Sequence, residues 1–278
     1  MNLLNKMAKI FYHNDADGHC AGAIVYQKYL EGKYIEVDYK DEINVDEIMT
    51  DETIIIVDFS FKPEVMQKVL EKTKNIIWID HHKTAKDYDY GIELKGLRNF
   101  EDKKFAGCEL AWMHFNLEKK MPRAVELIGD RDKWAWKFGK ETAEFNQGLQ
   151  LYPHQPQDII WGDLLQHDLL IKNICKKGKI CLQYRDNFCK DYADSYGFET
   201  EFEGHKCYAL GLYMFGSEGF GERFKQYDMC LSFEYTGKNW VIGLYSQKPE
   251  IDCGKIAQKY GGGGHKGAAG FVSNKLFF

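Results

Sequence analysis

The sequence contains no apolar run approaching the ~18 residues of a transmembrane helix, and residues 1–9 lack the uninterrupted apolar core of a signal peptide. None of its 8 cysteines stands in a C-x-x-C pair, and they are scattered along the chain. This distribution favours reduced, mostly buried thiols over the dense disulfide framework of a small secreted domain. We therefore expect a cytoplasmic protein that has no membrane partner.

Basic residues are too few for a protein that grips long duplex nucleic acid. The chain has 37 Lys and Arg against 42 Asp and Glu, a formal net charge of −5, whereas duplex affinity comes mainly from many basic contacts to phosphates. A short anionic substrate held by metal ions is compatible with this charge. The chain also lacks a G-x-S-x-G nucleophile turn and a Walker-type lysine loop.

Alternating β-prone and helical segments indicate an α/β fold. The β-prone runs are residues 10–12, 34–39, 54–57 and 76–79, and the segments between them, such as 20–30 and 64–72, have helical character. Such alternation predicts βαβ units and a parallel sheet, and the uninterrupted apolar run at 54–57 fits a strand that is buried on both faces.

The length of 278 residues suits two domains better than one. The pattern is predominantly helical from about residue 107 to 192, and a second, smaller α/β pattern begins near residue 206. We place the boundary near residue 195. The prediction is therefore an N-terminal domain of residues 1–194, which includes a helical connector, and a C-terminal domain of residues 195–278.

Metal-competent side chains follow three of the β-prone runs directly. In a parallel sheet, the ends of these strands open onto one crevice, where ligands bind. Carboxylates mixed with imidazoles suit Mn²⁺, Mg²⁺, Co²⁺ or Fe²⁺, and two such half-sites suggest a pair of ions that activates a water. Taken singly, the first loop could be a turn or cap, and the aspartate after the third run could cap a helix. The residues are His13, Asp15 and Asp17, then Asp58, then Asp80, His81 and His82.

The segment Gly261-Gly262-Gly263-Gly264-His265 offers bare backbone N–H groups beside one imidazole. Such a segment can approach an anion closely and bind it as a nest of N–H groups. Residues 13–18 and 80–82 would bind the metal ions, and this run would bind an anion. Together they suit a reaction on a phosphate ester.

With these motifs the chain resembles the DHH phosphoesterases, a family named for the motif Asp80-His81-His82. The first loop, His13-Asn14-Asp15-Ala16-Asp17-Gly18, is similar to the family's first motif, and Val57-Asp58 is similar to its second. Residues 129–134, Gly-Asp-Arg-Asp-Lys-Trp, resemble its fourth motif, and residues 261–271 resemble the signature of the DHH-associated C-terminal domain, which binds substrate.

The resemblance implies two bound divalent metal ions, usually Mn²⁺, with Mg²⁺ or Co²⁺ as alternatives. Asp80, His81 and His82 are expected to be catalytic, with Asp80 and His82 orienting substrate and water. For the ligand from the fourth motif we favour Asp132, with Asp130 as the alternative. The expected metal ligands are His13, Asp15, Asp17, Asp58, His81 and Asp132.

The C-terminal domain is expected to face the metals across an interdomain cleft that holds the active site. Gly262, Gly263, Gly264 and His265 would bind a substrate phosphate there. Many relatives carry an arginine before the glycine run where this chain has Gly243-Leu244-Tyr245-Ser246-Gln247-Lys248. Phosphate anchoring therefore falls to Lys248, Lys266 or Arg223.

The expected activity follows the nanoRNase or oligoribonuclease-like branch of the family. We expect a two-metal-dependent phosphodiesterase that hydrolyses short oligonucleotides or dinucleotides to nucleoside monophosphates, in a protein that could form a homodimer. The alternatives are a phosphatase acting on nucleotide 3′,5′-bisphosphates, a cyclic-dinucleotide phosphodiesterase and an exopolyphosphatase. A metal-stabilised scaffold protein is the non-enzymatic alternative.

Overall fold

The computed structural model describes residues 8–101, 103–167, 169–212 and 215–278. The chain forms two compact units, Met1–Cys181 and Leu182–Phe278. This division and the predicted boundary at residue 195 both fall within one long helix, which spans Leu169–Tyr196. Among the described residues, no helix combines the length and the apolar character that crossing a membrane requires.

The first unit contains a sheet of four parallel strands, as the sequence predicts. They are β1 (Ala8–His13), β2 (Lys33–Val37), β3 (Thr53–Val57) and β4 (Ile76–Ile79), in the spatial order β2-β1-β3-β4. Because the strands are parallel, their carboxyl ends lie at the same edge.

The helices of this unit include α1 (Ala16–Tyr26), α2 (Pro63–Lys72), α3 (Gly107–Phe115), α4 (Arg123–Asp132), α5 (Lys140–Leu149) and α6 (Ile160–Leu164). Helix α7 (Leu169–Tyr196) begins in this unit and continues into the second. Helix α1 begins four residues before the predicted segment 20–30, because the side chain of Asp15 caps it by accepting a hydrogen bond from Gly18 N. Helix α2 begins with proline, whose missing N–H costs nothing at a first helical position.

Alternate residues of the strands supply two separate cores. In β3, Ile55 and Val57 belong to the core that includes residues of α1, α3 and α4, whereas Ile54 and Ile56 belong to the core that includes residues of α2. This alternation follows from the two-residue period of a strand. Both faces of the sheet are therefore buried, and the uninterrupted apolar run at residues 54–57 is explained.

Strand β2 ends two residues earlier than predicted. The run at residues 34–39 has strand character, but after Val37 the N–H of Asp38 donates to Asp41 Oδ2 at 2.8 Å, and Asp41 N donates back to Asp38 O at 2.9 Å. These bonds turn the chain, because an aspartate side chain can replace a strand neighbour as hydrogen-bond partner. Tyr39 consequently lies in a turn at the carboxyl edge of the sheet.

The second unit contains a mixed sheet of six strands, which confirms the second α/β domain. They are β5 (Phe198–Phe202), β6 (His205–Leu210), β7 (Met229–Tyr235), β8 (Trp240–Tyr245), β9 (Gly263–Gly264) and β10 (Ala268–Ser273), in the order β5-β6-β7-β8-β10-β9. Strands β6 and β7 pair in parallel and the other pairs are antiparallel. In the described part of this unit, the C-terminal part of α7 and two short α-helices, α8 (Arg223–Gln226) and α9 (Cys253–Gln258), accompany the sheet.

Candidate functional site

The loop from β1 to α1 brings His13, Asp15 and Asp17 to the carboxyl edge of the sheet. His13 ends the strand, and its Nδ1 lies 2.8 Å from Asp15 Oδ2. The turn into the helix is tight, since a Cβ at Gly18 would lie 2.1 Å from His13 O. Gly18 is therefore required by the close approach of the helix to the strand end.

Asp17 is buried and held by the beginning of helix α3. Its Oδ2 accepts a hydrogen bond from Gly107 N at 2.7 Å, and its Oδ1 accepts one from Cys108 N at 2.9 Å. A carboxylate at this position satisfies two helix N–H groups that have no partner within the helix, and it interacts favourably with the helix dipole. Helix α3 thus fixes the orientation of Asp17.

Asp58 follows β3 in a left-handed backbone conformation, with φ of 53°. This conformation is unfavourable for a residue other than glycine and is a feature of functional sites. Its side chain is buried beside Gly107, where a Cβ would lie 2.5 Å from Asp58 Cβ. Asp58 does not cap α2, because the N-cap of that helix is Lys62.

Asp80 is completely buried at the end of β4, and its two oxygens have different partners. Oδ1 lies 2.7 Å from His82 Nδ1 and accepts hydrogen bonds from His81 N at 2.8 Å and His82 N at 3.2 Å. Oδ2 accepts a hydrogen bond from Ser60 Oγ. Asp80 therefore acts on the site by orienting the two histidines that follow it.

Of the two aspartates of the fourth motif, the structure places Asp132 in the cluster. Its Oδ2 lies 3.4 Å from His81 Nε2. Asp130 instead accepts hydrogen bonds from Lys137 N at 2.8 Å, from Phe138 N at 3.2 Å and from Thr142 Oγ1. Asp130 thereby shapes the loop between α4 and α5.

Side chains from three other segments lie around Asp58: the connection from β1 to α1, the loop after β4, and the end of α4. Oδ1 of Asp58 lies 3.1 Å from His81 Nε2, and its Oδ2 lies 3.8 Å from His13 Nδ1. This arrangement produces three groups whose potential ligand atoms all lie within 4.8 Å of one another: His13, Asp15 and Asp58; Asp17, His81 and Asp132; and Asp58, His81 and His82.

The cluster contains buried polar atoms that have no hydrogen-bond partner within the described ranges. They include both carboxylate oxygens of Asp58, Oδ2 of Asp132 and Nε2 of His81. Burial raises the pKa of Asp58 well above its ordinary value, and the charges of Asp17 and Asp15 raise it further. Burial also raises the pKa of Asp132 and lowers that of His81. Crowded carboxylates with unpaired oxygens fit a divalent cation, which would neutralise them.

His82 differs from the rest of the cluster in its electrostatics. Burial would lower its pKa, but the hydrogen bond to Asp80 and the charge of that carboxylate raise it to about 9. His82 in turn helps to hold the pKa of Asp80 below the ordinary value, against the effect of burial. The two form a partly buried, hydrogen-bonded pair at the edge of the cluster, with 2.7 Å between His82 Nδ1 and Asp80 Oδ1.

Comparison with known proteins agrees with this arrangement. Residues 8–130 match the family model described as the DHH family, N-terminal domain. Residues 8–130 are thus similar to a DHH N-terminal domain, and the match confirms the resemblance for the motifs that it spans.

A curated relative and two solved structures resemble the chain over most of its length. Uncharacterized protein R106 of Acanthamoeba polyphaga mimivirus is 26% identical over 263 residues, which span 89% of this chain but 57% of that protein. The pGpG-specific phosphodiesterase PggH of Vibrio cholerae is 15% identical, has a TM-score of 0.57, and the match covers 96% of this chain and 93% of that one. RecJ of Thermus thermophilus, in complex with Mn²⁺, is 15% identical with a TM-score of 0.50, over 97% and 50% of the two chains. At these identities the two structures show a common fold.

Two residues outside the predicted set connect α3 and α4, the helices that position Asp17 and Asp132. Glu109 of α3 accepts a hydrogen bond from Ala106 N at 2.8 Å, and the same carboxylate oxygen lies 2.5 Å from Lys133 Nζ. Ala106 precedes the N–H groups that hold Asp17, and Lys133 follows Asp132. No local motif identifies Glu109 and Lys133, because their role depends on the packing of α3 against α4.

The glycine run of the second unit has a structural role at several positions. Gly262 N donates to Ala257 O at the end of α9, and a Cβ there would lie 2.1 Å from Gly270 O. Gly264 has φ of 138° and lies against Ala269. His265 N donates to Ala268 O at 2.8 Å. The N–H groups of Gly262 and His265 are therefore already used inside the protein.

Gly263 is different from its neighbours. A Cβ at this position would meet no described atom within 4 Å, and Gly263 is not among the glycines with positive φ. Neither packing within the described structure nor backbone conformation requires glycine here. The sequence predicts that this run binds a phosphate, and this prediction would account for a glycine at position 263.

Proposed function

We propose that this chain is a divalent-metal-dependent phosphodiesterase that hydrolyses short oligonucleotides or dinucleotides to nucleoside monophosphates. The observation that carries the proposal is the position of Asp58, which places one carboxylate oxygen toward His13 and the other toward His81. A buried carboxylate between two groups of ligand atoms suits a bridge between two metal ions.

The chain offers a complete set of ligands for two ions. His13 and Asp15 would hold one, while Asp17, His81 and Asp132 would hold the other, with Asp58 shared between them. Bound ions would lower the pKa of a water to near neutrality and neutralise charge on the phosphoryl oxygens. The oxygen-rich donor set and the Mn²⁺ in the related RecJ structure support Mn²⁺, with Mg²⁺ or Co²⁺ as alternatives.

His82 supplies a proton donor at the edge of this site. Asp80 holds the Nδ1 of His82, and, against the effect of burial, this hydrogen bond and the charge of Asp80 raise the pKa of His82 to about 9. We assign His82 the task of donating a hydrogen bond through Nε2 to a phosphoryl or leaving-group oxygen. Asp80 fixes the orientation of His82 and stabilises its charge, as the third member of a relay commonly does.

Two observations support a nucleotide phosphodiester as substrate: the match of residues 8–130 to the DHH family and the activities named for two proteins of similar fold. The two proteins are a pGpG-specific phosphodiesterase and RecJ. In the second unit, we propose that Gly263, Gly264 and the His265 side chain bind a phosphate of the substrate. Because the chain spans only 57% of its curated relative, these statements concern the residues present here.

Turnover of a defined substrate panel tests this proposal. The purified chain is incubated with Mn²⁺ and di- to pentanucleotides of RNA and DNA, a cyclic dinucleotide, a nucleotide 3′,5′-bisphosphate and inorganic tripolyphosphate. We expect nucleoside monophosphates from the linear oligonucleotides and loss of this activity in Asp58→Asn. Asp87→Asn, a change at an exposed aspartate, serves as the matched control.

The identity of the product separates the alternatives. Inorganic phosphate released from the bisphosphate would indicate a phosphatase, and its release from tripolyphosphate would indicate an exopolyphosphatase. A linear dinucleotide formed from the cyclic substrate would indicate a cyclic-dinucleotide phosphodiesterase. If no substrate turns over, or if Asp58→Asn equals the wild type, the proposed activity is wrong and a scaffold role gains support.

A further inference from the structure

We propose that the Tyr39 ring stacks on a nucleobase of the substrate and so selects nucleotide phosphodiesters over inorganic polyphosphates. This inference rests on the proposed function and names the part of the substrate that the metal cluster itself cannot recognise. Tyr39 lies outside the sequence motifs, in the turn that follows β2 at the carboxyl edge of the sheet.

The Tyr39 ring lies directly beside the cluster of candidate metal ligands. Its centroid is 5.6 Å from the ring of His13 and 5.5 Å from the ring of His82. These two imidazoles belong to two different loops of the site. A planar group bound against Tyr39 would therefore lie next to the groups that handle the phosphate.

One face of the Tyr39 ring is already occupied. Phe59, the residue after Asp58, packs against it with a centroid distance of 4.6 Å and an interplanar angle of 30°. Phe59 is only 4% exposed, whereas Tyr39 is 39% exposed. The rings of His13 and His82 meet Tyr39 at interplanar angles of 57° and 75°, so among the described residues Phe59 is the ring neighbour that lies nearest to parallel with it. A planar group that stacks on Tyr39 would occupy the side of the ring that faces away from Phe59.

Hydrogen bonds hold the turn that carries Tyr39 before any substrate binds. The reciprocal bonds between Asp38 and Asp41 close the turn on either side of Tyr39. Asn14, in the first motif, donates to Asp38 Oδ2 at 3.5 Å. Because its turn is held and its ring packs on Phe59, Tyr39 loses little conformational entropy when it stacks on a ligand.

The chemistry favours a base over any other part of a phosphate ester. Every nucleobase has a π-face, and stacking on an aromatic side chain binds single-stranded nucleotides with little sequence preference. Only the sugar separates base and phosphate within one nucleotide, so a base on Tyr39 leaves its phosphate close to His13 and His82. An inorganic polyphosphate has no planar group and gains nothing from an exposed ring.

A cycle that combines a protein variant with a base deletion tests the proposal. The substrates are a DNA dinucleotide with a 5′-phosphate and the same molecule with one or both bases replaced by abasic tetrahydrofuran. The proteins are the wild type, Tyr39→Ala, Tyr39→Phe and Tyr235→Ala, the last removing an exposed tyrosine of the other unit. kcat/KM is measured for each pair, and thermal melting verifies that every variant is folded.

We expect one of the base deletions to lower kcat/KM of the wild type about 5- to 150-fold, which is the range of single-base stacking converted to an equilibrium ratio. The same deletion should have no effect in Tyr39→Ala, whereas Tyr39→Phe and Tyr235→Ala should behave like the wild type. An equal loss in Tyr39→Ala and the wild type would overturn the proposal, as would a wild type that is insensitive to both base deletions.

A binding measurement keeps this test independent of turnover. Fluorescence of 2-aminopurine riboside 5′-monophosphate is titrated with each protein in the presence of Mg²⁺, since stacking quenches this base. Quenching by the wild type and Tyr39→Phe, with weaker or no quenching by Tyr39→Ala, supports the stack even if no substrate turns over. Equal quenching by Tyr39→Ala and the wild type contradicts it even if the phosphodiesterase activity is present.

Discussion

Asp58 Oδ1 lies 3.1 Å from His81 Nε2, and neither atom has a hydrogen-bond partner in the part of the chain that the structure describes. Both atoms are buried, and an unpaired buried polar group costs stability. The fold nevertheless brings them together and keeps Asp58 in a left-handed backbone conformation to do so. A divalent cation that contacts both atoms would remove this cost, which links the stability of the first unit to metal binding.

Replacing Asp132 should make the metal-free protein more stable. Asp132→Asn removes a carboxyl group that is crowded by Asp17 and Asp15, and we expect an increase of roughly 1 kcal/mol in the free energy of unfolding. The same change should abolish most of the stabilisation by Mn²⁺. Thermal melting with EDTA and with excess Mn²⁺ measures both effects. A metal-free variant less stable than the wild type would contradict the crowding of charge at this site.

Asp130→Ala should have the opposite pattern. It removes the acceptor for Lys137 N, Phe138 N and Thr142 Oγ1, so we expect a loss of about 2 kcal/mol or more in stability. Because Asp130 lies outside the cluster, Mn²⁺ should still raise the melting temperature of the folded variant. If Asp130→Ala instead leaves stability unchanged and abolishes the effect of Mn²⁺, the ligand from the fourth motif is Asp130.

Gly107→Ala should damage the metal site although Gly107 binds no metal. The new Cβ would lie 2.5 Å from Asp58 Cβ and Oδ1, so Asp58 must move or the start of α3 must shift away from Asp17. We expect a destabilisation of about 1–3 kcal/mol and weaker Mn²⁺ binding, measured by calorimetry.

Gly162→Ala provides the matched control for this change. Gly162 lies in helix α6, where a Cβ would meet no described atom within 4 Å. Alanine should therefore stabilise the helix by about 0.5–1 kcal/mol and leave Mn²⁺ binding unchanged. Equal Mn²⁺ affinity in Gly107→Ala and Gly162→Ala would show that the close approach of Gly107 to Asp58 has no role in the site.

Asp80→Asn should reduce turnover more than metal binding. The amide still has an oxygen that can accept from His81 N and His82 N, but it has no charge to stabilise protonated His82. We expect kcat to fall about 10- to 100-fold, with the metal content retained within a factor of two. Steady-state kinetics and elemental analysis, with Asp87→Asn as control, measure the two quantities. Loss of metal in proportion to activity would assign Asp80 to the metal ligands.

Two neighbouring glycines of the second unit should respond differently to alanine. Gly262→Ala forces a Cβ against Gly270 O and should lower the melting temperature of this unit, whereas Gly263→Ala meets no neighbour and should leave it unchanged. If Gly263 lies against a substrate phosphate, its alanine variant should raise KM for a dinucleotide. Unchanged kinetics in folded Gly263→Ala would remove this glycine from the substrate site.

The sequence predicts the N-terminal sheet well because β1, β3 and β4 are mostly buried, largely apolar runs that end at polar residues. Strand β2 has a mixed pattern of exposed and buried residues, and its end is predicted two residues too late. It also identifies the residues that converge on Asp58, since their types and their positions after strands both favour a ligand role. Residue type alone does not separate Asp130 from Asp132, which lie in the same turn of α4, and the preference for Asp132 comes from the family resemblance. Only the packing of that helix decides which carboxylate points toward His81.

Other features of the site depend on contacts that are distant in the sequence. Asp17 is held by N–H groups of residues 107 and 108, and Glu109 contacts Lys133 across two helices. Tyrosine is common in β-strands, so its residue type predicts a strand at position 39. The hydrogen bonds between Asp38 and Asp41 place Tyr39 in a turn instead. Unlike Asp17, the residues at positions 39, 107, 108, 109 and 133 do not reveal these roles by their type or by a local motif.

Calorimetric titration of the metal-free protein with Mn²⁺ tests the central claim most directly. The wild type should bind two equivalents per chain, and Asp58→Asn should lose affinity at both positions because Asp58 is shared, whereas Asp87→Asn should titrate like the wild type. If the folded wild type binds no Mn²⁺, or if Asp58→Asn binds it with unchanged affinity and stoichiometry, the cluster around Asp58 is not a two-metal centre.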